Sequence, residues 1–128
     1  MRHRLLAAYL SEVEQSIAGC RTAYVEAYRE EVLTQRRANL RIRLRFNQGH
    51  LLEINEAIIV SDDELTFLDY RYHCQDRQNG LLFRYDSTPH FPDLPSYPHH
   101  KHLPDRVIAC QKPSLKRVIQ EAIAVGEP

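Results

Sequence analysis

Four of the chain's seven histidines, His90, His99, His100 and His102, fall in one run between Arg84 and His102. Arg84, Asp86 and Lys101 lie in the same run. Imidazole takes up and releases protons near neutrality. A carboxylate orients it, and guanidinium or ammonium groups hold anionic oxygen. This set suits attack by a ribose 2′-hydroxyl on a phosphodiester. The reaction needs a base for the hydroxyl, an acid for the leaving 5′-oxygen and cations for the charge that builds on phosphorus. No metal or other cofactor is needed on this route. A second chemistry is open to the same residues. On an extended strand His100 and His102 point the same way, and with His90 or an Asp they can ligate Zn²⁺ or Ni²⁺. Lys101 between them, and the lack of an H-E-x-x-H motif or a cysteine pair, weigh against it.

Prolines at 89, 92, 95 and 98 recur at every third position. That is the period of a polyproline II helix, which puts the prolines on one edge and Phe91, Leu94, Tyr97 and His100 on another. The expectation is a stiff strap, docked by its apolar edge, that delivers His99, His100, Lys101 and His102 to a fixed place. The bland alternative is a solvated loop.

The elements that position this run follow from periodicity. Leu5, Leu6, Tyr9, Leu10, Val13 and Ile17 share one face of a helix over about 4–18, stopped at Gly19. A strand is expected over about 22–33. Leu40, Ile42, Leu44 and Phe46 alternate with Asn39, Arg41, Arg43 and Arg45, the mark of a half-buried strand with a basic outer face. Asn47-Gln48-Gly49 is a three-residue hairpin loop. It sets Leu44 opposite Leu52, Ile42 opposite Ile54 and Arg43 opposite Glu53. Ser61-Asp62-Asp63 breaks the pattern, and a strand runs over about 65–75. Asn79-Gly80, taken as a type I′ turn, pairs Cys74 with Tyr85 and His73 with Asp86. Tyr70, Tyr72, Cys74, Phe83 and Tyr85 then share one face, and Asp69, Arg71, His73, Arg84 and Asp86 the other. A short strand over 106–110 and a helix capped by Ser114, with stops at Gly126 and Pro128, complete the reading. The expected fold is one α+β domain over residues 1–128: an antiparallel meander of about five strands, an N-terminal and a C-terminal helix, and the strap before the last helix.

On the open face, Arg71, His73, Arg84 and Asp86 neighbour the strap's histidines. His100 and His102 are assigned proton transfer, with His99 beside them. Arg84 and Lys101 are assigned to phosphate, and Asp86 to orienting His73 or a strap histidine. Arg71, His90 and Arg43 are the substrate contacts. Plainer readings stand beside these. His73 opposite Asp86, and Arg43 opposite Glu53, are also ordinary stabilising cross-strand pairs.

Net charge is zero, from 17 basic and 17 acidic residues, which disfavours a general nucleic-acid coat. No apolar run is long enough to span a membrane. Glu12 and Glu14 interrupt what would be the apolar part of a secretion signal. Cys20, Cys74 and Cys110 are odd in number and widely spaced, against a disulfide framework. A cytoplasmic protein is expected. An exposed strand edge leaves a homodimer open.

Tyr70-Arg71-Tyr72-His73, Phe83-Arg84-Tyr85-Asp86, Pro89-His90 and Pro98-His99-His100-Lys101-His102, in that order, resemble the TumE-type toxin family of prokaryotic toxin–antitoxin systems. The resemblance covers roughly 65–107, with only a general likeness of layout before it. It implies a toxin that arrests growth by cutting RNA and is held inactive by an antitoxin encoded beside it. It places activity on Arg84, Asp86, His90, His99, His100, Lys101 and His102. Zero net charge is less basic than a ribosome-dependent ribonuclease would need. Two other readings remain: a non-catalytic protein-interaction module and a histidine-based metal-binding protein.

Overall fold

The structure, a computed structural model, describes residues 1–126. The element order is α1 (Arg4–Ala18), β1 (Ala23–Thr34), β2 (Arg37–Phe46), β3 (Leu51–Ser61), β4 (Glu64–Gln75), β5 (Leu81–Asp86), β6 (His100–Leu103), β7 (Arg106–Ala109) and α2 (Leu115–Val125). The class is α+β, as the periodicities require. The strands form one antiparallel sheet in chain order, β1 to β7. Pro128 lies outside the described residues. No helix among the described residues is long and apolar enough to cross a membrane.

Both helices cover the same face. Leu6, Leu10, Val13 and Ile17 of α1, and Leu115, Val118, Ile119 and Ala122 of α2, join the inward rows of β2 to β5 in one core cluster. Each fully buried Leu or Ile in such a core contributes about 1.5–3 kcal/mol. Ser114 caps α2, its hydroxyl accepting from the Arg117 amide at 3.2 Å. The far end of α2 is pinned by His50, which stacks on Phe46 and bonds the Ala122 carbonyl through Nε2 at 2.7 Å. Gly126 is required there, because a Cβ would stand 1.9 Å from His50 Cε1.

The first hairpin has the expected register, with Leu44 opposite Leu52, Ile42 opposite Ile54 and Arg43 opposite Glu53. Gly49 sits at φ 101°, the positive value that the loop demands. Three expectations need correction. The β4–β5 connection is not a two-residue turn. Asp76 organises a longer loop, accepting from the amides of Gln78 and Gly80 through Oδ1. The register therefore moves by two, so Cys74 faces Phe83 and His73 faces Arg84, not Asp86. A shift of two keeps every side chain on its expected face.

The proline run is not a polyproline II strap. It folds into successive turns, with Leu94 N bonded to Phe91 O, Tyr97 N to Leu94 O and His99 N to Ser96 O. A polyproline II helix has no such internal bonds. The count of about five strands also falls short. His100–Leu103 is a strand, added to β5 on one side and to β7 on the other. Leu103 pairs with Arg106 across Pro104-Asp105, so the pair is a tight hairpin.

One buried carboxylate interrupts the apolar core. Glu56 of β3, 3% exposed, accepts from the hydroxyls of Tyr9 at 2.6 Å and Tyr72 at 2.5 Å. The Lys112 ammonium lies 3.9 Å from the centre of the Phe67 ring and 5.6 Å from that of Tyr72. Burial holds the Glu56 carboxyl above its ordinary range, against the lowering effect of the two phenols and Lys112.

The folded state thus binds this proton more tightly than the unfolded chain does. Glu56 makes stability fall as pH rises from about 4.3, the unfolded value, through the raised folded value. Glu56→Gln removes that part of the slope in denaturant titrations across pH. Glu56→Ala leaves two buried phenols without an acceptor and costs about 2–4 kcal/mol.

Candidate active site

Strand register brings the candidate residues into two adjacent rows on the face away from the helices. One row runs Arg43, Glu53, His73, Arg84, His102 across β2 to β6. The other runs Arg41, Asn55, Arg71, Asp86, His100. The ends of these rows converge. His100 Nε2 lies 2.8 Å from Asp86 Oδ1, and His102 Nε2 lies 3.5 Å from Asp86 Oδ2. The two Nε2 atoms are 3.0 Å apart.

Asp86, 4% exposed, is held by two further bonds. Thr88 N donates to Oδ1 at 3.0 Å and Arg84 Nε to Oδ2 at 3.2 Å. His100 is 1% exposed, and its Nδ1 donates to the Pro98 carbonyl at 2.9 Å. A carbonyl only accepts, so the proton on Nδ1 is fixed. His100 Nε2 is thereby left facing both the carboxylate and His102 Nε2. Burial, reinforced by Arg84, holds the His102 imidazole below its ordinary value, against the pull of Asp86. Phe91 packs over both rings, with centroids 5.0 Å from His100 and 5.9 Å from His102.

A cleft of about 280 Å³ opens at the cluster, lined by Arg71, Arg84, Asp86, Thr88, His90, Phe91 and His102. His102 and the exposed His90 therefore front the cleft, and His100 stands behind them.

Other expected site residues are elsewhere. Lys101 points to the helix face, where its Nζ bonds Glu121 of α2 at 2.6 Å and lies over the Tyr85 ring. His99 also faces that side, bonded through Nδ1 to the Tyr70 hydroxyl at 2.8 Å. Neither is delivered to the cleft: neighbours along a strand face opposite ways, which turns Lys101 from His100 and His102, and His99 lies just before β6, its amide bonded to the Ser96 carbonyl in a turn. His73 sits beside Arg84 but bonds Gln75 through Nε2 at 2.9 Å, and Asp86 orients the β6 histidines instead. Burial, opposed by the Gln75 bond, holds His73 below its ordinary value. Arg43 lies three strands from Arg84, about 14 Å away at sheet spacing, and is tied to Glu26 at 2.8 Å and Glu53 at 3.7 Å. Thr88 and Phe91 were missed as site residues, and their signal was proximity in sequence to Asp86 and His90.

The model of the family described as Toxin TumE matches residues 9–127. The chain belongs to the TumE toxin family. The match takes in most of α1, the whole sheet and α2, well beyond the 65–107 stretch that carries the motif resemblance. Membership in TumE gives this chain a toxin role and points to an antitoxin partner. No curated protein and no solved structure matches it.

With Lys101 on the helix face, its loss is felt in the fold. Tyr85 OH shares the same carboxylate, donating to Glu121 Oε1 at 2.6 Å. Lys101→Ala lowers stability by about 1–2 kcal/mol, measured by denaturant unfolding. Any loss of toxicity should follow that loss of stability, and a stable second-site revertant should restore it.

Proposed function

We propose that this toxin is a metal-independent endoribonuclease that cleaves RNA in the cleft above Asp86. The carrying observation is the Asp86-anchored histidine pair that opens, through His102, on a cleft lined by Arg71, Arg84 and His90. His102 takes the proton of the attacking 2′-hydroxyl, since it is the cluster imidazole that fronts the cleft. His90, on the rim, supplies the proton to the leaving 5′-oxygen. Arg71 and Arg84 stabilise the phosphorane charge. His100 is a positioning residue that holds Asp86 and, through it, His102. Phe91 shields the pair from water on one side.

A cognate antitoxin encoded nearby belongs to this reading, as does a cytoplasmic setting, since the RNA substrate is there. Pairing of two copies is open along β1, a free sheet edge on which Tyr24, Val25, Val32 and Leu33 are exposed.

The test is inducible expression in a bacterial host, with growth and total RNA integrity followed together for wild type, His102→Ala and His90→Ala. Wild type should arrest growth and fragment RNA. Each folded variant should cleave about 10²–10⁴-fold more slowly, the contribution of one general acid or base. Arg71→Ala should raise KM more than it lowers kcat. Arrest without fragmentation would keep the toxin and remove the nuclease. Undiminished cleavage by folded His102→Ala would remove His102 from the proton path.

A further inference from the structure

The Asp86–His100–His102 cluster presents a problem that a single proton solves only in part. Two imidazole nitrogens and a carboxylate point at one spot, and their ligand atoms lie within 4.8 Å of one another. A proton on His100 Nε2 satisfies the 2.8 Å contact to Asp86. It does not account for His102 Nε2, which turns inward to within 3.0 Å of the same atom although the cleft lies open beside it. Two nitrogens at that distance repel unless one donates to the other, and whichever of them donates, His100 Nε2 is left with no hydrogen of its own for Asp86.

A metal ion would satisfy all three at once. Around a tetrahedral ion with bonds of about 2.0–2.1 Å, neighbouring ligand atoms stand roughly 3.3 Å apart. His100 Nε2 stands 2.8 Å from Asp86 Oδ1 and 3.0 Å from His102 Nε2, and His102 Nε2 stands 3.5 Å from the other carboxylate oxygen, Oδ2, so one oxygen and the two nitrogens lie within 4.8 Å of one another. A turn of the Asp86 carboxylate that carries one oxygen toward both rings would admit the ion. The outer contacts are also those of a ligand set. The Pro98 carbonyl fixes the His100 tautomer so that Nε2 carries the lone pair, and Thr88 N and Arg84 orient the carboxylate. The fourth position would face the cleft.

We propose that Asp86, His100 and His102 form a site for one divalent transition-metal ion of the Zn²⁺ type, and that the bound ion silences RNA cleavage. The second half rests on the metal-independent reading above. An ion bound to His102 Nε2 locks the ring facing inward and sets a positive charge on it, so the imidazole cannot turn to the cleft and accept the 2′-hydroxyl proton. Two imidazoles and a carboxylate suit Zn²⁺ or Co²⁺ better than Mg²⁺ or Ca²⁺, which prefer oxygen alone. His99 and Lys101 contribute nothing, since they face the helices.

The experiment uses the full chain without a histidine tag, stripped with a chelator. Zn²⁺ binding is followed by calorimetry and Co²⁺ binding by visible absorption, and an RNA oligonucleotide is assayed in the same samples. One ion per chain is expected, with Co²⁺ bands of nitrogen and oxygen ligation. His102→Gln and Asp86→Asn should weaken binding by about 100-fold or more, while His99→Gln binds as wild type. Stripped protein should cut RNA, and stoichiometric Zn²⁺ should stop it. Lack of saturable binding by the wild type overturns the site without recourse to any variant. So does equal loss in His99→Gln and His102→Gln, which would mark loose chelation by a histidine-rich run. Binding together with cleavage only when Zn²⁺ is present upholds the site and overturns both the silencing and the metal-independent route. Binding with no cleavage in either state upholds the site and removes the nuclease reading.

Discussion

A β-strand turns its side chains to opposite faces at every residue, and the candidate site of this protein depends on that constraint. His99-His100-Lys101-His102 reads as one block of chemistry along the chain, but in a strand it cannot act as one. Pairing of β6 with β5 sends His100 and His102 to Asp86 and sends Lys101 to Glu121. The same four residues thus build a polar cluster on the open face and fasten α2 on the other. Each half needs the other. On the helix side the Lys101–Glu121 contact, the His99–Tyr70 bond and Leu103 packed on the core support the register on which the histidine pair relies.

Much of this was legible in the sequence where two independent signals agreed. The β2–β3 hairpin is one example. Alternation of Leu40 to Phe46 and the glycine-bearing loop both specify one register, and a slip by one residue would expose the whole apolar row. The helices were equally plain, from stripe and cap together. At β4–β5 the two signals separate. Alternation fixes the face but tolerates a shift of two, and Asn79-Gly80 suggested a tight turn that Asp76 replaces with a longer loop. The contact between His73 and Asp86 was lost with it.

The proline run misled for a related reason. A three-residue period is shared by polyproline II and by a series of turns that each close over three residues, and composition does not separate them. The tight Pro104-Asp105 turn was the missed clue. It makes a hairpin of β6 and β7 and so sets which histidines face together. Phe91, expected on the apolar edge of the strap, packs instead over the rings of His100 and His102.

Zero net charge also says less than it seemed to. On the open face Arg43 and Arg45 are neutralised by Glu26 and Glu53. Arg71, beside the cleft, and Arg41, in the same row, have no ion-pair partner among the described residues. The local field at the cleft is therefore raised by the unpaired Arg71 guanidinium beside Asp86, which the total over the chain conceals.

The meander adds each strand beside the one before it, in chain order. During synthesis, therefore, α1 and β1 to β4 can assemble while His100 and His102 are still to come. At roughly 5–20 residues per second, the ribosome needs a second or more to pass from Asp86 to His102. A nascent or half-folded chain has the arginine rows and the core but no histidine pair on its carboxylate. The arrangement is a built-in delay: the order of the strands in the chain makes the histidine pair and its carboxylate the last polar cluster of the sheet to close.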